Sequence, residues 1–131
     1  MLSNSHAFSG FSVSDIAGAK KFYSEVLGLD IEDGPMGFGI RFANGGKAFI
    51  YAKENHIPAT FTILNFPVDD IDACVDELTS KGVKFEVYEG MHQDEKGIAR
   101  GIAANMGPDI AWFKDPAGNI LSVLNDGKTA A

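Results

Sequence analysis

The side chains able to do acid–base, nucleophilic or metal chemistry are few in this chain. It holds three histidines, His6, His56 and His92, and one cysteine, Cys74. A zinc site built from thiolates needs several cysteines, and a single thiol cannot close a disulfide within the chain. Cys74 falls on the apolar stripe of a predicted helix, where it reads as a small inert hydrophobe rather than a reactive thiolate. Histidine ligands must sit within about 2.0–2.2 Å of an ion. His56 and His92 fall in predicted loops. His6 opens a strand too far out to share a centre with them, and it reads as an exposed residue. No paired carboxylates and no nucleophile–base set stand together in the pattern. Tyr51 and His92 remain as the acid or base of a metal-free reaction. Arg100 and His92 remain as the groups to meet a polar or anionic ligand.

A short chain must position these groups. Its 131 residues and 14.0 kDa fit one domain, or two small halves sharing a core. With 45% hydrophobic and 22% charged residues, it can bury a core without disulfide or metal staples. Eighteen acidic and 11 basic residues leave a net charge of −7, which excludes the phosphate-neutralising surface of a nucleic-acid binder and disfavours an anionic membrane. Met1 to Gly10 has no basic region followed by an apolar run, and no stretch of membrane-spanning length is apolar throughout. A soluble cytoplasmic protein with a reduced thiol is the expectation.

The pattern is written twice. Val13-Ser14-Asp15-Ile16 opens a helical stripe of Ile16, Ala19, Phe22, Tyr23, Val26 and Leu27, which Gly28 stops. Val68-Asp69-Asp70-Ile71 opens another of Ile71, Cys74, Val75 and Leu78, which Gly82 stops. Before the first helix, Ala7 to Val13 alternates, with Phe11 and Val13 on one face and Phe8, Gly10 and Ser12 on the other. Before the second, Phe61 to Val68 alternates in the same way. There Leu64, Phe66 and Val68 lie on one face, and Ile63, Asn65 and Pro67 on the other. Three strand segments follow each helix: 30–33, 38–43 and 48–53 in the first half, and 84–88, 110–114 and 120–125 in the second. Gly90 to Gly107 reads as a long loop, either a lid or plain surface. The boundaries are a first module at about 6–53, a linker at 54–60, a second module at about 61–125 and a tail at 126–131. Glu32, Asp33, Asp69, Asp72, Asp76 and Glu77 read as a solvated acidic face.

Each half is thus βαβββ, and one helix can cover only one face of its sheet. The fold class expected is α+β: two tandem βαβββ modules forming a cup-shaped, partly closed mixed β-barrel with helices outside. By parity the inner face carries Phe8, Gly10, Ser12, Tyr51, Ile63, Asn65, Pro67, Ile120, Ser122 and Leu124. It is apolar with a few hydrogen-bonding groups, the usual make-up of a small-molecule pocket. Trp112 and Phe113 are strand neighbours, so one of them faces inward, and an indole there offers a flat stacking surface.

Three segments carry a family resemblance. They are Val13-Ser14-Asp15, then Lys21-Phe22-Tyr23 with Val26-Leu27-Gly28-Leu29, and Phe113-Lys114-Asp115-Pro116-Ala117-Gly118-Asn119. Over residues 6–125 the chain resembles the vicinal oxygen chelate superfamily, which holds glyoxalase I, bleomycin-resistance proteins, fosfomycin-resistance enzymes and extradiol dioxygenases. The resemblance implies a divalent metal held by His, Glu or Gln from the first and last strand of each module, chelating two substrate oxygens. Counted from Asp15, Asp70 and Asp115, three of the four ligand positions fall on Phe8, Ile63 and Ser122, and register places Tyr51 at the fourth. Phe and Ile cannot ligate, and neutral Ser and Tyr ligate poorly.

The expectation is therefore a protein without metal or other cofactor that binds an organic ligand, a drug or metabolite, in the cup. Its binding set is Phe8, Gly10, Ser12, Tyr51, Ile63, Asn65, His92, Arg100, Trp112 and Ser122. The resemblance also implies a homodimer, and the net charge suits a cationic ligand. The alternative is a metal-dependent lyase or dioxygenase with a non-standard site.

Overall fold

The structure is a computed structural model, and it describes residues 1–127. Residues 128–131 of the expected tail lie outside the described residues. The chain divides into two compact units, Met1–Pro58 and a second from Ala59 onward, and each is described by itself.

In the first unit, β1 (Ser9–Val13) leads into α1 (Ile16–Lys21), a π-helical turn (Phe22–Val26), and β2 (Asp30–Gly34), β3 (Gly37–Arg41) and β4 (Lys47–Ala52). The sheet order is β1-β4-β3-β2, with β1 parallel to β4 and the other pairs antiparallel. Asp15 stands in extended backbone at the N-cap, but its side chain makes no capping bond. The predicted single helix is α-helical only to Lys21. There the ladder widens to the five-residue spacing of a π turn, closed by Leu27 N–H donating to the Phe22 carbonyl at 3.0 Å. The Ser24 hydroxyl donates to the Lys20 carbonyl at 2.6 Å and competes for that acceptor. Gly28 then ends the segment at φ +69. The core lies between helix and sheet. Val13, Ala19, Phe38, Ile40, Ala48 and Ile50 are buried around Tyr23, whose ring meets those of Phe11, Phe22 and Phe38. Each large apolar side chain so buried contributes about 1.5–3 kcal/mol.

In the second unit, β5 (Thr62–Pro67) precedes α2 (Ile71–Ser80), followed by β6 (Ala99–Arg100), β7 (Asp109–Lys114) and β8 (Ile120–Asn125). The order is β5-β8-β7-β6, with β5 parallel to β8. Here the cap is made: the Asp70 carboxylate accepts from Ala73 N–H at 3.0 Å. Ile71, Val75 and Leu78 are buried against the sheet, with Ala111, Phe113, Leu121 and Val123 beneath them. Cys74, expected on the core stripe, is only partly buried at its edge, and burial pushes its thiol pKa up, away from the reactive thiolate. The Asp115–Asn119 turn is tied by its first residue. Asp115 accepts from the backbone N–H of Ala117 and of Asn119 and from the Asn119 side chain, each at 2.9 Å.

Two expectations are corrected. The 84–88 segment is not a strand. It touches the sheet at a single Phe85–Phe113 bridge and by Glu86 N–H donating to the Trp112 carbonyl at 2.8 Å. The 90–107 segment is not wholly loop, since it contains β6. Both have one cause: β7 has a single open edge, and β6 takes one end while Phe85 and Glu86 take the other. The strands form two four-stranded mixed sheets, with edges at β1 and β2 in the first and at β5 and β6 in the second, in keeping with the expected α+β class of two strand-and-helix modules.

The acidic face is exposed, as expected, and much of it is ion-paired. Glu32 pairs with Arg41, Asp33 with Lys20, and Glu77 with Lys81. On α2, Asp72 takes two guanidinium contacts from Arg100 at 2.8 and 3.0 Å and one from Lys96, which also reaches Asp76. Arg100 further donates to Asp94. Gln93 secures the same stretch, accepting from Tyr88 N–H and donating to the carbonyls of Glu86 and Gly97. The middle of the 90–107 segment is thereby clasped to α2.

Two predictions follow from this packing. A Cβ at Gly37 would run into the Ile50 carbonyl oxygen, so Gly37→Ala should lower stability by at least about 2 kcal/mol in urea unfolding. The hydrogen bonds from Arg100 hold the Asp72 carboxyl down at about 2, against an unfolded value near 3.8. A carboxylate with a depressed folded pKa stabilises above its unfolded pKa, and that contribution fades as pH falls toward the folded value. Wild-type melting temperature should therefore drop as pH falls from about 4 to about 2, and Asp72→Asn should flatten part of that drop.

Candidate functional site

The helix face of each sheet is core, so binding chemistry must come from the other face. In the first unit that face is unusually bare. Cross-strand register aligns Gly10 with Phe49, Ser12 with Tyr51, Gly39 with both Phe49 and Glu32, and Gly37 with both Tyr51 and Gly34. Phe49 and Tyr51 stack at 6.0 Å with planes 17° apart. Between the aromatic side chains of β4 and the acidic strand β2, the floor is glycine backbone.

The glycines differ in cause. Gly37 is demanded by crowding, as above. Gly39 is not, because a Cβ there would lie 3.8 Å from the Ala48 carbonyl oxygen and 3.9 Å from that of Glu32, ordinary contacts. Gly10 is equally unconstrained, at 3.5 Å from the Phe49 carbonyl oxygen. A strand glycine that neither the backbone nor crowding requires costs roughly 0.5–1 kcal/mol. Leaving the face open is what it achieves.

Above this floor lies a groove of about 600 Å³, lined by Phe8, Gly39, Phe49, Glu32, Arg41 and Lys47, with His6 at the rim and the 44–46 turn at one end. Phe8 is 66% exposed beside it. Arg41 donates from Nε to Glu32 at 2.9 Å, and this partner raises its pKa further. His56 is drawn back onto the strand by a 2.6 Å hydrogen bond between its Nδ1 and Ser12 Oγ.

In the second unit, Asn65, Ser122 and Trp112 stand side by side on β5, β8 and β7. Ser122 is fully buried and donates to Asn65 Oδ1 at 2.6 Å. Trp112 takes this face, while Phe113 packs under α2 and meets Phe85 at 5.6 Å. Tyr88 meets Trp112 edge-on at 5.5 Å. Among the described residues its buried hydroxyl has no hydrogen-bond partner, and burial raises its pKa.

The expected binding residues thus fall into groups. Phe8, Gly10, Ser12 and Tyr51 belong to the open side of the first sheet, and Asn65, Ser122 and Trp112 to that of the second. Ile63 lies at an irregularity where Thr62 and Leu64 pair with adjacent residues of β8, so alternation does not set its side. His92 is exposed in a left-handed conformation, φ +51. Arg100 instead points to α2, opposite the face of Trp112, and its charge is engaged by Asp72 and Asp94. Phe49, Gly39, Glu32, Arg41 and Lys47 were absent from the expected set. Counting two residues back from Tyr51 finds Phe49, whereas the others need the strand register.

The donors present do not suit a divalent metal. At the four positions the resemblance marks, Phe8 and Ile63 have no donor atom, Ser122 spends its hydroxyl on Asn65, and Tyr51 offers only a phenol oxygen, a poor ligand type. Among the described residues no three His, Cys, Asp or Glu side chains come together in a group that could hold an ion.

Residues 5–123 match the family described as the Glyoxalase/Bleomycin resistance protein/Dioxygenase superfamily. A search of curated proteins finds no match. Similar solved structures include a glyoxalase family protein from Enterococcus faecalis, 17% identical, covering 95% of this chain and 99% of that one, with a TM-score of 0.67. Another is the VPC_CASS1 protein from the mobile metagenome of V. pseudocholerae, at 20% identity, 98% and 99% coverage and a TM-score of 0.66. A third is TnmS3, an antibiotic binding protein from Streptomyces sp. CB03234, at 22% identity, 92% and 96% coverage and a TM-score of 0.62. At these identities the likeness to the solved structures speaks for the fold. With the match along nearly the whole chain, it leads to one statement: the chain belongs to the glyoxalase/bleomycin resistance protein/dioxygenase superfamily.

Proposed function

We propose that this protein binds an organic small molecule on the open face of its first sheet without using a metal, sequestering a drug or metabolite. The observation that carries the reading is the groove of about 600 Å³ over Gly39, a volume within the range of small-molecule sites. Its floor is cleared at a cost the fold does not require, and its walls are Phe8 and Phe49. The lack of donor atoms at Phe8 and Ile63 supports metal-independent binding. So does the existence of a similarly folded antibiotic binding protein. On the second sheet, taken by itself, Asn65 and Trp112 are proposed as ligand contacts, with Ser122 buried behind and holding Asn65. Pairing as a homodimer through open strand edges belongs to the same reading.

Metal analysis with thermal shift tests this directly. The purified protein should carry no stoichiometric metal, and its melting temperature should not rise with Zn, Ni, Mn or Fe(II). An organic ligand at a hundred times its Kd should stabilise it by about 2.7 kcal/mol. Stoichiometric metal, or stabilisation by those ions, would overturn the proposal in favour of a metal-dependent lyase or dioxygenase.

A further inference from the structure

The groove has a sign and a shape that the net charge conceals. Glu32, Gly39 and Phe49 lie directly opposite one another on three neighbouring strands. With strands about 4.8 Å apart, the Glu32 and Phe49 walls stand roughly 10 Å apart across a floor without side chains. Such a slot admits a flat ring lying against Phe49, with Phe8 beside it.

One end of the slot is cationic. Arg41 and Lys47 are direct cross-strand partners, two like charges face to face, an arrangement that destabilises a sheet. Arg41 is compensated by Glu32, with Asp30 opposite it on β2. Lys47 has no ion pair among the described residues, although it lines the groove in a chain of net charge −7. Asp30 stands two strands from Lys47, beyond Arg41, so at contact distance the ammonium at the end of the slot meets no carboxylate among the described residues and suits a carboxylate on the ligand.

Resting on the binding reading above, we infer that the groove selects planar aromatic monoanions, such as aryl carboxylates, with the ring against Phe49 and the carboxylate at the Lys47 ammonium. By neutralising Arg41, Glu32 leaves the Lys47 ammonium as the cation for the anion. This reverses the expectation of a cationic ligand drawn from net charge. Local geometry decides, because a charge at contact distance outweighs distant ones screened over a Debye length of about 8–10 Å.

The test uses three probes with one ring system: 2-naphthoate, 2-naphthamide and 2-naphthylmethylammonium. Each is titrated at neutral pH into the full chain while the backbone amide resonances of Gly39, Gly45 and Gly46 are followed by NMR. Naphthoate should move these amides and bind about tenfold more tightly than the amide, as one charge-assisted hydrogen bond implies. Lys47→Gln should bring naphthoate to the level of the amide while the melting temperature stays within a degree or two, since an exposed lysine carries little stability. If the amide or the ammonium binds at those glycines as tightly as naphthoate, the anion selectivity is wrong and the binding groove stands. If none of the three moves the groove glycines, the groove reading itself fails, and this inference fails with it.

Discussion

A β-sheet has two faces, and each βαβββ unit of this chain supplies one helix. The helix side is filled in the usual way, with Tyr23 wedged among aromatic rings in the first unit and Phe113 under α2 in the second. The opposite side has no element of its own unit to cover it. The first unit answers by stripping side chains from that side, at Gly10 and Gly39, rather than by making it polar. The fold does not call for those two glycines, whereas it does call for Gly37. That distinction separates what the sheet requires from what keeps its open face clear, and the floor of the groove depends on it.

Much of this was legible because strand parity and helix caps are local. Phe11 and Val13 against Phe8, Gly10 and Ser12 follow from alternation alone, as do the two helix starts at Asp15 and Asp70 and the stops at Gly28 and Gly82. Most of what escaped depends on contacts distant in sequence. The π turn after Lys21 is local, with Ser24 donating to the Lys20 carbonyl, but a period of 3.6 residues does not encode it. β6 exists because β7 has an edge to offer, and the same edge reduces the 84–88 segment to a single bridge. Arg100 looked available for a ligand, since nothing in its neighbourhood in sequence announces the carboxylate of Asp72 on α2. Glu32 and Arg41 are nine residues apart and meet only through the β2–β3 register.

Charge shows the same contrast between composition and placement. Most of the acidic residues that looked solvated are ion-paired, and the Asp72–Arg100–Asp94 cluster uses its charge to hold a long segment to a helix. The negative balance of the chain therefore says little about the groove, where Lys47 has no ion pair among the described residues. The family's metal chemistry illustrates a related point. Superfamily membership rests on fold elements such as the tied Asp115–Asn119 turn, which pack and turn the chain but do no chemistry. Function has to be read from the open faces.

The central claim is that Gly39 serves the space above the sheet and not the sheet itself. The stability of Gly39→Val, measured by urea unfolding, tests it most directly. A β-branched residue suits a strand, and its Cβ meets only ordinary contacts, so the variant should be as stable as the wild type or about 0.5–1 kcal/mol more stable. A loss of more than about 1 kcal/mol would show that the glycine is structural after all, and would contradict the account.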